Sequence, residues 1–103
     1  MLNNSKFNYI RTRILFYYLR IPSPMYYVYI IRSEEGRTYT GSTENIEKRL
    51  AQHNSINYRS WTNRFKNWEL VYSETFETRL DARRREREIK NYRGGSKFKK
   101  LIG

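Results

Sequence analysis

The sequence contains no cysteine and a single histidine, His53. Without thiols there is no disulfide, no cysteine nucleophile and no thiolate zinc site. One histidine cannot build a multi-histidine metal centre. Any bound metal must therefore rest on oxygen ligands, the preference of Mg2+ and Mn2+. Proline occurs twice, at Pro22 and Pro24. No apolar run approaches the ~18 residues of a bilayer span, so no membrane-spanning segment is expected. Acidic residues are scarce, with 10 Asp and Glu against 21 Lys and Arg for a formal net charge of +11.

What is present is basic and aromatic. Aromatic residues make up 17% of the 103 residues, with ten tyrosines among them, and that share argues against a disordered polar chain. A chain of this charge meets a polyanion. Nucleic acid is the first candidate and an anionic membrane surface the second. A generically basic surface or a small ribosome-associated protein is the plainer explanation. The expected setting is the cytoplasm, at the nucleoid if the source is bacterial.

Residues 1–24 differ from the rest. They contain no Asp or Glu and carry Lys6, Arg11, Arg13 and Arg20. They end in the linker-like Ile21-Pro22-Ser23-Pro24, and Met25 follows. This segment reads as a basic N-terminal extension, a disordered arm or a stretch upstream of the true start. Setting its four cations aside leaves +7 over residues 25–103, so the basic character does not depend on it.

From Met25 the pattern predicts an α+β domain spanning 25–103. Tyr26–Arg32 is aromatic and β-branched, as strands are. Ser33–Arg37 is a turn around Gly36. Thr38–Thr40 is a second strand, antiparallel to the first. Thr43 is the expected N-cap of a helix from Glu44 to His53, with Glu44 in its first turn. Residues 55–67 read as a loop and Trp68–Glu74 as a third strand. Thr78 caps a helix from Arg79 to Tyr92, Gly94-Gly95 ends it, and Ser96–Ile102 forms a last short helix. The expected architecture is a small three-stranded, mostly antiparallel sheet flanked by helices, in the order ββαβα plus a C-terminal helix.

Helical spacing then picks out side chains. Ile46 and Leu50 mark the apolar face of the first helix, with Arg49 and His53 beside it at its margin. An arginine stem along the core edge and a histidine at a helix C-terminus would also account for these two. In the second helix Ala82 and Ile89 face the core, and Glu86 lies between them. An inward carboxylate needs a partner, either an arginine, with Arg49 a candidate, or a bound cation. Arg83, Arg84, Arg85, Arg87, Lys90 and Arg93 form a basic stripe that Lys97, Lys99 and Lys100 extend. Six cations against three acids exceed what solubility asks, which points to phosphate contact. The expected nucleic-acid-binding set is Arg83, Arg84, Arg87, Lys90, Arg93 and Lys97.

The residues Tyr27-Val28-Tyr29, a nine-residue gap and Tyr39-Thr40-Gly41 resemble the paired motif of the GIY-YIG nucleases. The segment Gly41–Asn54 is similar to the family's first helix, with its arginine at Arg49, and RRREREIK sets the family's glutamate at Glu86. The resemblance spans about residues 25–103 and is nearest to small members with little beyond the nuclease core. It implies a catalytic set of Tyr29, Tyr39, Arg49, His53 and Glu86, with Glu86 as the protein ligand of Mg2+ or Mn2+. One carboxylate plus water and substrate phosphate suits magnesium, which would polarise the phosphate and stabilise the leaving oxygen. Arg49 would hold a non-bridging phosphate oxygen. Tyr39 is the first candidate for general base and Tyr29 the second. A free tyrosine ionises near pH ~10, so neutral-pH action calls for nearby cations or a relay. His53 is the candidate relay, or else a phosphate contact. In excision-repair incision subunits a lysine stands three residues after the second tyrosine, where this sequence has Ser42. The family's later asparagine has no counterpart here.

The expected function is a divalent-metal-dependent endonuclease. It would hydrolyse DNA phosphodiester bonds by structure rather than sequence, in repair or recombination. The alternatives are a non-catalytic nucleic-acid-binding module of the same fold, and a small ribonucleoprotein component with RNA as partner.

Overall fold

The computed structural model describes residues 25–56 and 60–103; the expectations for residues 1–24 lie outside that range. Three strands, β1 (Tyr26–Arg32), β2 (Thr38–Thr43) and β3 (Glu69–Phe76), form a sheet of order β2-β1-β3. Both pairings are antiparallel, so the sheet is wholly rather than mostly antiparallel. The helices are α1 (Ile46–Asn54), α2 (Arg79–Asn91) and α3 (Ser96–Ile102).

β1 is the central strand and is covered on both faces. Its alternation divides the core in two. Val28 and Ile30 pack with Ala82, Ile89 and Phe98 on the side of α2 and α3. Tyr29 and Ile31 pack with Trp68, Ile46 and Leu50 on the side of α1. That double burial explains why the strand reads YYVYIIR with no polar residue before Arg32. The β1–β2 turn closes as predicted. Gly36 sits at φ 89°, where a side chain is strained, and its N–H donates to the Ser33 carbonyl at 2.9 Å.

Three boundaries depart from the sequence expectation. β2 continues to Thr43, which pairs with Tyr27, so α1 starts two residues later than predicted. Its N-cap is Asn45, whose side chain accepts from the Lys48 N–H at 3.0 Å. Thr43 instead accepts from the Asn45 N–H at 3.1 Å, and Glu44 lies before the helix rather than in its first turn. Both residue types cap well; strand pairing decided between them. The expected loop contains a 3-10 turn, Trp61–Arg64, closed by a capping box between Ser60 and Asn63. β3 starts one residue later than expected and runs to Phe76. Before it, Asn54 holds Trp68 at both backbone groups, accepting from its N–H at 2.8 Å and donating to its carbonyl at 3.1 Å. The end of α1 is thereby fastened to the start of β3. α2 matches its prediction, with Thr78 capping the Asp81 N–H at 3.1 Å.

Candidate active site

Tyr29 is the hub. It sits on central β1 and is 1% exposed. Its hydroxyl lies 2.9 Å from His53 Nε2 and is hydrogen-bonded to Arg49. Both partners come from α1, one turn apart. Across the sheet Tyr29 pairs with Gly41, and that glycine is required. A Cβ there would stand 2.7 Å from Tyr29 Oη and 3.0 Å from Tyr39 Cε1, closer than packed atoms approach. The two tyrosine rings come together, 6.1 Å between centroids, because residue 41 has no side chain.

His53 is buried, 1% exposed, and not at the margin of the core as the helical wheel suggested. The reason is that Thr62 and the 3-10 turn close over it from the side the wheel left open. Its Nδ1 lies 2.8 Å from Thr62 Oγ1, and Thr62, itself 0% exposed, donates to Ser60 Oγ at 3.2 Å. Burial lowers His53 to about 4, and the nearby Arg49 charge adds to the effect. Burial also pushes the Tyr29 hydroxyl up to about 12, with the Arg49 hydrogen bond opposing it. Both groups are therefore neutral at pH 7. Tyr29 then donates to Nε2, Nδ1–H donates to Thr62, and Thr62 donates to Ser60, a single direction along the chain that satisfies every member. Both ring nitrogens of His53 are thus engaged, one by Tyr29 and the other by Thr62.

Tyr39, on β2, is half-buried. Its ring lies 4.7 Å from that of His53 and 6.5 Å from that of Trp61. Glu86 reaches the same edge of the sheet from the opposite face, on α2. Its side chain is 20% exposed. One carboxylate oxygen accepts from Ser42 Oγ at 2.6 Å and the other from Lys90 Nζ at 2.6 Å. Ser42 and Lys90 thus supply the partners that an inward carboxylate needs. The site lies at the β2 edge, where side chains from both faces of the sheet meet. Tyr39, Arg49 and Glu86 all act electrostatically on Tyr29.

Two cavities flank this edge. One of about 620 Å³ lies between α1 and α2, lined by Ser42, Lys48, Arg49, Arg79 and Arg83 among others. A smaller one of about 250 Å³ is lined by Arg83, Glu86, Arg87 and Lys90. The open space thus lies among the cationic residues, with Arg49 and Glu86 at its walls and neither Tyr29 nor Tyr39 in its lining. Of the six expected phosphate contacts, Arg83, Arg87 and Lys90 gather around Glu86. Arg84 is exposed and lines neither cavity, Arg93 lies past the end of α2, and Lys97 sits over the Tyr92 ring at 5.7 Å.

Glu86 fits a hard divalent cation by its chemistry. A carboxylate has about four lone-pair sites, and Ser42 and Lys90 take one each. Among the described residues no group of three or more His, Cys, Asp or Glu is assembled to hold a metal, so such an ion would take its remaining ligands from water and substrate.

Sequence reasoning passed over four contributors. Ser42 was noted only for the lysine it replaces. Thr62 and Trp61 lay in a presumed loop, although Ser60-x-x-Asn63 carries the pattern of a capped turn. Gly41 was read as motif rather than as space.

A family model for the GIY-YIG catalytic domain matches residues 25–99. UPF0213 proteins from Staphylococcus saprophyticus and Staphylococcus haemolyticus are each 38% identical to this chain, over 72% and 74% of its length and 90% and 93% of theirs. The solution NMR structure of the UPF0213 protein BH0048 from Bacillus halodurans is similar at 30% identity, covering 77% of this chain and 86% of that one with a TM-score of 0.47. No described helix is long and apolar enough to cross a membrane. With the family model spanning most of its length and both motif tyrosines meeting over Gly41, the chain belongs to the GIY-YIG nuclease superfamily.

Proposed function

We propose that this protein is a divalent-metal-dependent endonuclease that hydrolyses DNA phosphodiester bonds, selecting its substrate by structure, in repair or recombination. One observation carries the proposal: Tyr39, Arg49 and Glu86, from one strand and two helices, all act on Tyr29 of the central strand, and Arg49 and Glu86 line cation-rich cavities. A phosphate entering there meets Arg49 and Arg83 first. Arg49 is held by Tyr29 and by Gln52, whose Oε1 accepts from Nη1 at 3.3 Å. Its guanidinium is therefore oriented before substrate arrives, the condition for stabilising charge that develops on a phosphate oxygen. Glu86 would hold the Mg2+ or Mn2+ ion, which when bound supplies Lewis-acid polarisation of the phosphate. Lys90, 52% exposed on its side chain, is free to exchange Glu86 for a phosphate oxygen.

The proton chemistry falls to Tyr39. Tyr29 keeps its proton in the bond to His53, and neither partner favours transfer. The Tyr39 hydroxyl makes no hydrogen bond to another described residue, so it is available to the attacking water. Tyr29 and His53 are then positioning residues that hold Arg49 and the Tyr39 ring in place.

The experiment is to incubate the protein with labelled duplex, single-stranded, flapped and junction DNA in Mg2+ or Mn2+, with and without a chelator. Cleavage of branched or flapped forms that stops on chelation is expected. Binding of all forms with no cleavage under any metal would replace this reading with the second one, a nucleic-acid-binding module. The ion pair closing Lys90 onto Glu86 is the observation that favours that alternative.

A further inference from the structure

The 3-10 turn beside the site carries a feature that nuclease chemistry does not use. Trp61 is 46% exposed, whereas Trp68, the chain's other tryptophan, is 2% exposed. A half-open indole presents a broad, rigid apolar face at the surface. This one is also held firmly. Its ring lies 5.2 Å from that of Phe65 and 6.3 Å from that of Trp68, and it is near-parallel to Tyr39 with 28° between planes. The turn beneath it is closed by the Ser60–Asn63 capping box and tied through Thr62 to buried His53. The indole is thus pre-organised, at little ordering cost on binding.

We propose that Trp61 is a stacking platform for an unpaired nucleobase next to the phosphate held at Arg49. The platform would direct the protein to DNA with a single-stranded segment beside the bond to be cut. The proposal rests on the nuclease reading for the phosphate's position, and on independent observations for the base. Rings run in sequence from Trp61 to Tyr39 to His53 and Tyr29, so a base on Trp61 lies one ring beyond the candidate general base. The surroundings favour an anion over an apolar protein partner. Residues 60–67 carry Arg64 and Lys66 and no acid, and the Arg37 guanidinium lies over Phe65 at 5.4 Å. A base inside a duplex has both faces covered by its neighbours; only an unpaired or terminal base offers one to an indole.

The test uses tryptophan fluorescence in chelator, where nothing is cut. Because Trp68 is buried, quenching by a stacked base reports Trp61. Single-stranded and flapped oligonucleotides are expected to quench, and closed circular duplex at equal phosphate concentration, which has no terminal base, to bind with little quenching. Trp61→Ala should weaken single-strand and flap binding about tenfold, within the range for loss of one stacked base, and leave duplex binding unchanged. Trp61→Phe should keep most of the preference. Equal quenching by duplex and single strand in the parent protein, or an unchanged flap-to-duplex affinity ratio in a folded Trp61→Ala protein, overturns the proposal. These readouts do not depend on cleavage. A protein that stacks bases but cuts nothing would contradict the nuclease reading alone.

Discussion

At the scale of single residues, the site depends on one buried imidazole and one absent side chain. His53 has a lowered affinity for protons in the folded state, about 4 against the ordinary 6.5. Between these values the unfolded chain binds the proton more readily, so stability rises with pH across that window. The contribution is fully present above pH ~6.5 and lost as pH falls toward ~4. The melting temperature should therefore decline from pH 7 to pH 4, and His53→Gln should flatten that decline; an unchanged slope would mean His53 is not buried neutral. Because His53 is the chain's only histidine, cleavage should also show no inflection near pH ~6.5. Thr62 fixes which ring nitrogen carries the proton. Thr62→Val removes the acceptor for Nδ1–H and should lower activity roughly tenfold to a hundredfold, the scale on which misplacing an active-site group acts. Thr62→Ser should retain it. Nitrogen NMR of the imidazole should show the Nδ1–H tautomer in the parent and a mixture in the valine variant, a change that mere loosening of the fold would not produce. Gly41→Ala drives a methyl into the Tyr29 hydroxyl and should cost about 1–3 kcal/mol in thermal unfolding, as overpacking does, together with most of the activity.

At the scale of elements, α2 has two flanks with different work. Toward β2 it presents Arg83, Glu86, Arg87 and Lys90 to the cavities. Toward β3 it presents Arg85, whose Nε donates to Glu74 at 2.9 Å and whose Nη1 donates to Glu88 at 2.6 Å and to Tyr92 at 3.2 Å. Within the arginine run, Arg83 and Arg87 line the cavities while Arg85 is a strut. Arg85→Ala should lower thermal stability by about 1–3 kcal/mol, because Glu74 is left half-buried without its partner, and should leave DNA affinity almost unchanged. Arg87→Ala should do the reverse: an unchanged melting curve, weaker binding, and a salt-dependence slope reduced by about one. This division was not legible in sequence, where Arg83 to Arg87 read as one stripe; which flank meets β3 is decided by sheet order, a long-range property. The wheel did place Glu86 correctly beside Ala82 and Ile89, because local periodicity sets which residues share a helix face. It misjudged His53, because a wheel cannot see a segment folding back from nine residues further on. β1, the first half of β2 and α2 were legible, since alternation, a glycine turn and a threonine cap all speak locally. The start of α1 was not, since two good caps competed and a cross-strand partner chose.

At the scale of the whole molecule, a small antiparallel sheet buries its central strand between two helical layers and leaves the β2 edge for chemistry. Four residues far apart in sequence reach that edge, and the cations around them give it the sign to hold a phosphate. The account stands or falls on Glu86, the carboxylate that, among the described residues, lines the smaller cavity with Arg83, Arg87 and Lys90. The most direct measurement compares the parent with Glu86→Gln, which keeps the side chain's shape and one of its two acceptor oxygens while removing the charge that would hold a divalent ion. Flapped-DNA cleavage is followed in Mg2+, with DNA affinity in chelator and the melting temperature measured alongside. The prediction is cleavage by the parent, a loss of at least a hundredfold in the variant (about the ~3 kcal/mol attributed to one pre-organised electrostatic contact), and unchanged folding and DNA binding. A Glu86→Gln protein that cuts at the parent's rate would contradict the assignment.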